Sequence, residues 1–258
     1  MSSKTTSADL LQLTMEGLES GLHVAHIATF ELVTCEETVP PEEVFADPRY
    51  KPYDYIPVRK EGRIVAVLER PESKRRLLDD TILVSARTPL TRFIEHVMES
   101  PYRLVVDEGG ITGIVTWSDL QKLPVRLLVF TLITHLEMIM AELIRQHLKQ
   151  DEWILLLSEN RRKKLLEKQE KLKKESLDPP LLELTDFCDK RTIIKKHFKA
   201  GRRFEKEFKD IEKLRNRIAH AASFAGSPEG VKAFVDRYRL IEHWIHELNE
   251  WKTQSNDG

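Results

Sequence analysis

Apolar positions along this chain follow two different periods, and the change falls near Leu123-Pro124. Before that point, short apolar runs alternate with Pro, Gly and Asp breakers. HVAHIATFELV, DYIPVRKEG and RIVAVLER read as strands, and PPEEVFADPRY reads as a short helix between the first two. ILVSA, a helical PLTRFIEHVMES, YRLVVDEG and ITGIVT then repeat the same order. IPVRKEGRIVAV overlies LVVDEGGITGIV at an offset of 48 residues. Each copy is too small to bury its own apolar face, so the two are expected to pack together.

After Pro124 the spacing becomes helical. VRLLVFTLITHLEMIMAELIRQHL predicts a long helix, and EWILLLSENRRKKLLEKQEKLKKE a second that ends at Asp178-Pro179-Pro180. TDFCDKRTIIKKHFKA, RRFEKEFKDIEKLRNRIAHAASF and GVKAFVDRYRLIEHWIHELNEW predict three more. The fold expected is therefore α+β, a β-α-β-β repeat followed by an all-α bundle. Residues 1–19 read as a tail with a short amphipathic helix, 20–123 as the repeat, 124–252 as the bundle and 253–258 as a disordered tail.

Charge sharpens the division. Residues 1–124 carry 14 Lys+Arg against 20 Asp+Glu, whereas residues 125–258 carry 27 against 22. Most of the basic excess lies between Asn160 and Arg217, with 20 basic and 11 acidic residues. A locally basic half is one footprint of a polyanion partner, but charge alone favours the plainer reading of solvated helix faces. Cys35 and Cys188 stand far apart, with neither metal spacing nor a disulfide framework, which fits a reducing cytoplasm. The N-terminus lacks the pattern of a signal peptide. The most apolar run is interrupted by Arg126, His135 and Glu137, so it is expected as a buried core helix and no membrane partner is expected.

Two stretches carry candidate chemistry. The first is GIVTWSDL, residues 113–120. A carboxylate at a helix start can accept two hydrogen bonds from a vicinal diol, and nearby hydroxyls favour phosphate. Ser118 or Asp119 capping a helix that starts at Leu120 is the plainer alternative. The tandem β-α-β-β copies ending in GIVTWSDL resemble a pair of CBS (cystathionine-β-synthase) domains over residues 20–122. That resemblance implies an adenine nucleotide (AMP, ADP, ATP or a relative) as regulatory ligand. Thr116 and Ser118 would then meet phosphate and Asp119 the ribose, with Gly113 allowing close backbone approach. At the 48-residue offset the first copy has Val65, Leu68 and Pro71 in place of Gly113, Thr116 and Asp119, so one pocket per chain is expected.

The second stretch is RNRIAH, residues 215–220. Ile211, Leu214 and Ile218 share one apolar stripe. Asn216 and His220 lie one turn apart on the opposite face, and Arg215 sits about 140° from His220 around the axis. These residue types suit acid/base and phosphate chemistry without a metal: His220 as the acid/base, Arg215 as the phosphate clamp and Asn216 as the orienting group. The alternative is that Arg215 pairs with Glu212 and His220 merely ends a helix. LRNRIAHA, with LTDFCDKRTIIKKH and LEMIMAELIR before it, resembles a HEPN domain. The family's mark is an Arg, often followed by Asn, and a His four to six residues beyond the Arg. The resemblance implies a homodimer with a composite site, RNA as substrate, and a setting in stress or phage defence. It also implies an acidic partner for the Arg or His, for which Glu137 is the candidate and Glu142 the alternative. A HEPN half used only for dimerisation remains the competing reading. His23/His26 and His243/His246 have helical spacing, but nothing completes a metal set.

Overall fold

The computed structural model describes residues 13, 16–18 and 20–253. By packing, the chain falls into two units. One takes in residues up to Leu128 together with Ala225–Lys232, and the other Val129–Phe224 together with residues from Ala233 onward.

In the first unit, β1 (Cys35–Glu36) runs parallel to β2 (Tyr55–Lys60), with α1 (Pro41–Ala46) crossing between them. β3 (Arg63–Glu69) returns antiparallel beside β2, and β4 (Lys74–Leu77) adds at the edge, giving the order β1-β2-β3-β4. The second sheet repeats the scheme: β5 (Leu83–Ser85), α2 (Leu90–His96), β6 (Tyr102–Asp107) and β7 (Gly110–Thr116), in the order β5-β6-β7. Alternation on β3 divides its side chains between the copies. Ala66 and Leu68 pack with Cys35, Val44 and Val58 of their own copy. Val67 packs on the other face with Tyr102 and Leu104 of the second. The two copies thus share one strand's apolar residues, as their small size requires.

Two local expectations fail. HVAHIATFELV is not a strand: a single 3-10 turn spans Val24–His26, and only isolated bridges join His23 to Pro89 and Thr29 to Ile114. Its buried residues, Val24 and Ile27, are three apart rather than two, which suits a turn and not a pleat. The first copy's opening strand is instead the two-residue β1. β4 was not expected, because KRRL offers little apolar alternation; a charged strand is well suited to a sheet edge.

The second unit is helical: α3 (Leu123–His147, beginning in the first unit), α4 (Glu159–Lys174), α5 (Phe187–His197), α6 (Arg202–Ala219) and α7 (Pro228–Thr253). The predicted second helix is broken. Glu152–Leu156 forms a 3-10 turn, and Ser158 then caps α4, its hydroxyl accepting from the Arg161 N–H at 3.4 Å. On α6 the predicted stripe of Ile211, Leu214 and Ile218 is buried, and Phe204 and Phe208 extend it. Phe204 and Phe208 lie edge-on to Trp244, with centroids 5.1 and 5.2 Å away. α3 is long and apolar enough to cross a bilayer by composition. Within this fold, however, Leu128, Val129, Leu132, Leu136, Met140 and Leu143 along it are buried in protein. Of the expected C-terminal tail, Thr253 closes α7, and residues 254–258 lie outside the described residues, as does most of the N-terminal tail.

Candidate functional site

β7 ends at Thr116, and one 3-10 turn, Trp117–Gln121, leads to α3. The turn therefore starts three residues before Leu120, and its cap is Thr116 rather than Ser118 or Asp119. Thr116 and Asp119 form a reciprocal capping box. The Thr116 N–H and hydroxyl both donate to Asp119 Oδ2, at 2.6 and 3.0 Å. The Ser118 hydroxyl lies 2.7 Å from that of Thr116. Asp119 is 7% exposed, and its other oxygen meets the Lys122 ammonium at 2.7 Å. Lys122 donates in turn to the Ile27 carbonyl at 2.5 Å. The structure brings Thr116, Ser118 and Asp119 together, with the carboxylate already held on both oxygens.

These three residues form one wall of a cavity of about 370 Å³. The rest comes from Thr29, Glu31, Leu32 and Val33 and from Pro52–Tyr55 of the first copy, with Pro57, Ile114 and Trp117. Tyr55 is fixed by stacking on Tyr102 at 4.2 Å, and the Trp117 indole N–H donates to the Val97 carbonyl at 2.9 Å. Tyr53, Tyr55 and Trp117 were not singled out from sequence, although DYIP and the Trp inside GIVTWSDL were visible. Gly113 is placed otherwise than expected. A Cβ there would lie 3.0 Å from the Thr29 carbonyl and 3.1 Å from the Phe30 ring. The backbone that approaches it closely is the chain's own, which bridges Thr29 to Ile114 at 2.8 and 2.9 Å.

Strand pairing corrects the alignment of the copies. Val58 pairs with Ala66 and Lys60 with Arg63, exactly as Val105 pairs with Gly113 and Asp107 with Gly110, so the true offset is 47. The slip has a cause. In the first hairpin Glu61 and Gly62 both have positive φ, 49° and 78°. In the second, the positive φ falls one place later relative to the strands, at Gly110 with 106°. Matching the two left-handed glycines therefore displaces the strands by one. At 47, Thr116 corresponds to Glu69 and Asp119 to Glu72, not to Leu68 and Pro71. The first copy keeps carboxylates, but they are committed. Glu69, 4% exposed, accepts from the Tyr102 hydroxyl at 2.7 Å and faces Lys74 at 3.3 Å and Arg76 at 3.7 Å. Glu72 pairs with Lys74 at 2.6 Å. Burial first, and the bond to Glu69 next, push the Tyr102 phenol well above its ordinary range.

In the helical unit, Glu137 on α3 lies between two cations. Lys190 on α5, 6% exposed, donates to Glu137 at 2.9 Å and to the Thr185 carbonyl at 2.9 Å. Arg215 on α6 reaches the other Glu137 oxygen at 3.9 Å. The alternative pairing of Arg215 with Glu212 does not form, because Glu212 is held by Arg191. Glu142 instead pairs with Lys252. Asn216 and His220 are exposed one turn apart, and the His220 N–H donates to the Asn216 carbonyl at 3.0 Å. α6 ends at Ala219, leaving His220 as its C-cap. Lys190 was missed from sequence; its signal was the CDKR run inside the quoted LTDF segment.

Residues 77–126, covering the second copy and the turn after it, match the family model described as CBS domain. That segment is a CBS domain. Its boundaries contain Gly113, Thr116, Ser118 and Asp119, while the opposite cavity wall, from Thr29 to Pro57, comes from outside the matched CBS segment. Among solved structures, the chain is similar to the CBS domain of a bacterial CNNM/CorC family Mg2+ transporter in complex with ATP. Identity there is 22%, over 45% of this chain and 94% of that one, with a TM-score of 0.34. It is also similar to a functionally unknown conserved protein domain from Neisseria meningitidis MC58, at 22% identity over 44% of this chain and 86% of that one, with a TM-score of 0.33. No curated protein matches the chain significantly.

Proposed function

We propose that the first unit is a sensor of an adenosine-containing ligand and that the helical unit is a HEPN-type, metal-independent endoribonuclease whose activity that ligand regulates. The sensing half rests on one observation: Thr116, Ser118 and Asp119 meet on the wall of an aromatic-lined cavity inside a unit that contains a CBS domain. Asp119 takes the ribose diol on the lone pairs its oxygens still offer, with Lys122 kept in place, and Tyr53 or Tyr55 offers a face to the base. Calorimetry tests this. Asp119→Ala is expected to weaken adenosine binding by about 1.5–3 kcal/mol for each ribose bond lost, before non-additivity. Binding as tight as in the wild type would remove the assignment.

The ribonuclease half is favoured by the position of Glu137. Lys190 meets part of its charge, so Arg215 lies beside the carboxylate without being neutralised by it and keeps a cation for phosphate. His220, exposed at the helix end, is placed to exchange a proton with the 2′-hydroxyl. Mixed RNA incubated in EDTA is expected to be cut by the wild type and left intact by His220→Ala. If neither protein cuts, with or without adenosine compounds, the helical unit serves as a dimerisation or partner-binding module instead.

A further inference from the structure

We infer that the cavity beside Asp119 selects an adenosine whose attached group carries no net negative charge. The inference rests on the reading of this cavity as an adenosine site and specifies which adenosine compound it takes. Among the described residues its lining includes Glu31, Asp54 and Asp119 but no Lys, Arg or His. Among the described residues no cation pairs with Glu31 or Asp54, and both are exposed at the cavity's edge. The neighbouring bases are occupied. Lys122 is held by Asp119 and the Ile27 carbonyl. The Arg70 guanidinium donates to the carbonyls of Phe45, Tyr50 and Tyr53, at 3.2, 2.9 and 3.1 Å.

The groups that would receive a phosphate are also committed. The Thr116 hydroxyl donates to Asp119, and the Ser118 hydroxyl meets that of Thr116. The 3-10 turn behind them is five residues long and already capped by its own side chains. A phosphate placed here faces unneutralised carboxylates in partly excluded solvent, where like charges repel more strongly than in bulk water. The neutral nucleoside meets no such opposition, since its ribose needs a carboxylate acceptor and its base an aromatic or apolar wall.

The test is titration calorimetry of the full chain with adenosine, AMP and ATP in EDTA, so that no divalent cation masks the phosphates. Adenosine is expected to bind at least roughly tenfold more tightly than AMP, with ATP weaker still and the gap narrowing as salt is raised. In the double variant Glu31→Gln/Asp54→Asn, the ratio of AMP to adenosine affinity is expected to approach one; both positions are exposed, so folding is not at stake. AMP or ATP binding as tightly as adenosine to the wild type overturns the charge selection and leaves the adenosine site standing. Failure of all three compounds to bind removes the site itself, and the selection with it.

Discussion

Ala221 closes α6 in a conformation that suits glycine better. Its φ is 53°, and the hydrogen bonds around it are those of a Schellman cap: Ala222 N–H to the Arg217 carbonyl at 2.8 Å, and Ala221 N–H to that of Ile218 at 3.1 Å. An L-residue held in the left-handed region is strained through its Cβ. Ala221→Gly is therefore expected to stabilise the protein by roughly 0.5–1 kcal/mol, read from a shifted urea midpoint with an unchanged slope. Gly113 presents the opposite case. Its φ is not the issue; the Thr29 carbonyl leaves no room for a methyl group. Gly113→Ala is expected to cost about 1–3 kcal/mol by overpacking, and to weaken adenosine binding because Thr29 lines the cavity. A variant as stable as the wild type would show that the Thr29–Ile114 bridge gives way without cost.

At the level of elements, what could be read in the chain follows burial. α3, α6 and α7 were legible because one stripe of each is buried over many turns, and β2, β3, β6 and β7 because their apolar runs end in unmistakable turns. The residues HVAHIATFELV misled because apolar content alone does not distinguish a strand from a turn anchored by two side chains. The repeat was legible too, but not its register: glycine marks a turn without telling at which turn position it sits, and here the two hairpins differ by one place. That single residue changed Pro71 into Glu72 as the counterpart of Asp119. The cavity's aromatic walls were hidden for a different reason, since they come from segments far apart in the chain. Packing among the helices also sets a pH dependence. Burial pushes the His135 imidazole below its ordinary value, Glu142 opposing and Lys252 adding to the effect. Burial does the same to His147, aided by His197, whose ring lies 5.8 Å away. Both rings therefore take up protons less readily in the fold than in the unfolded chain, where the ordinary value is about 6.5. Their contribution is full above that pH and is lost as the pH falls from there through their lowered folded values. Urea midpoints are expected to drop between about pH 7.5 and 5.5, and His147→Asn to make that drop smaller.

For the whole molecule, two expectations follow from the proposed function. The protein is expected to be a homodimer, because the HEPN reading builds one site from two copies of Arg215, Asn216 and His220; light scattering showing a stable monomer at micromolar concentration would contradict it. Ligand and RNA are also expected to influence one another. α3 contributes residues up to Leu128 to the first unit and from Val129 to the second, so one helix belongs to both. With cleavage disabled by His220→Ala, saturating adenosine is expected to change RNA affinity by the factor by which RNA changes adenosine affinity. Equal affinities in all four measurements would make the first unit a scaffold and not a regulator.

The first unit also takes in Ala225–Lys232, where Val231 is completely buried. On the ribosome that arrangement imposes a delay. At translation rates of roughly 5–20 residues per second, this segment emerges some 5–20 s after Leu128, once α4, α5 and α6 have been made. Until then the nascent first half lacks a piece of its own packing. A chain stopped after Phe224 is expected to be cut by protease within residues 20–128 faster than the full chain. The half made first thus waits for its last piece until most of the other half has been synthesised.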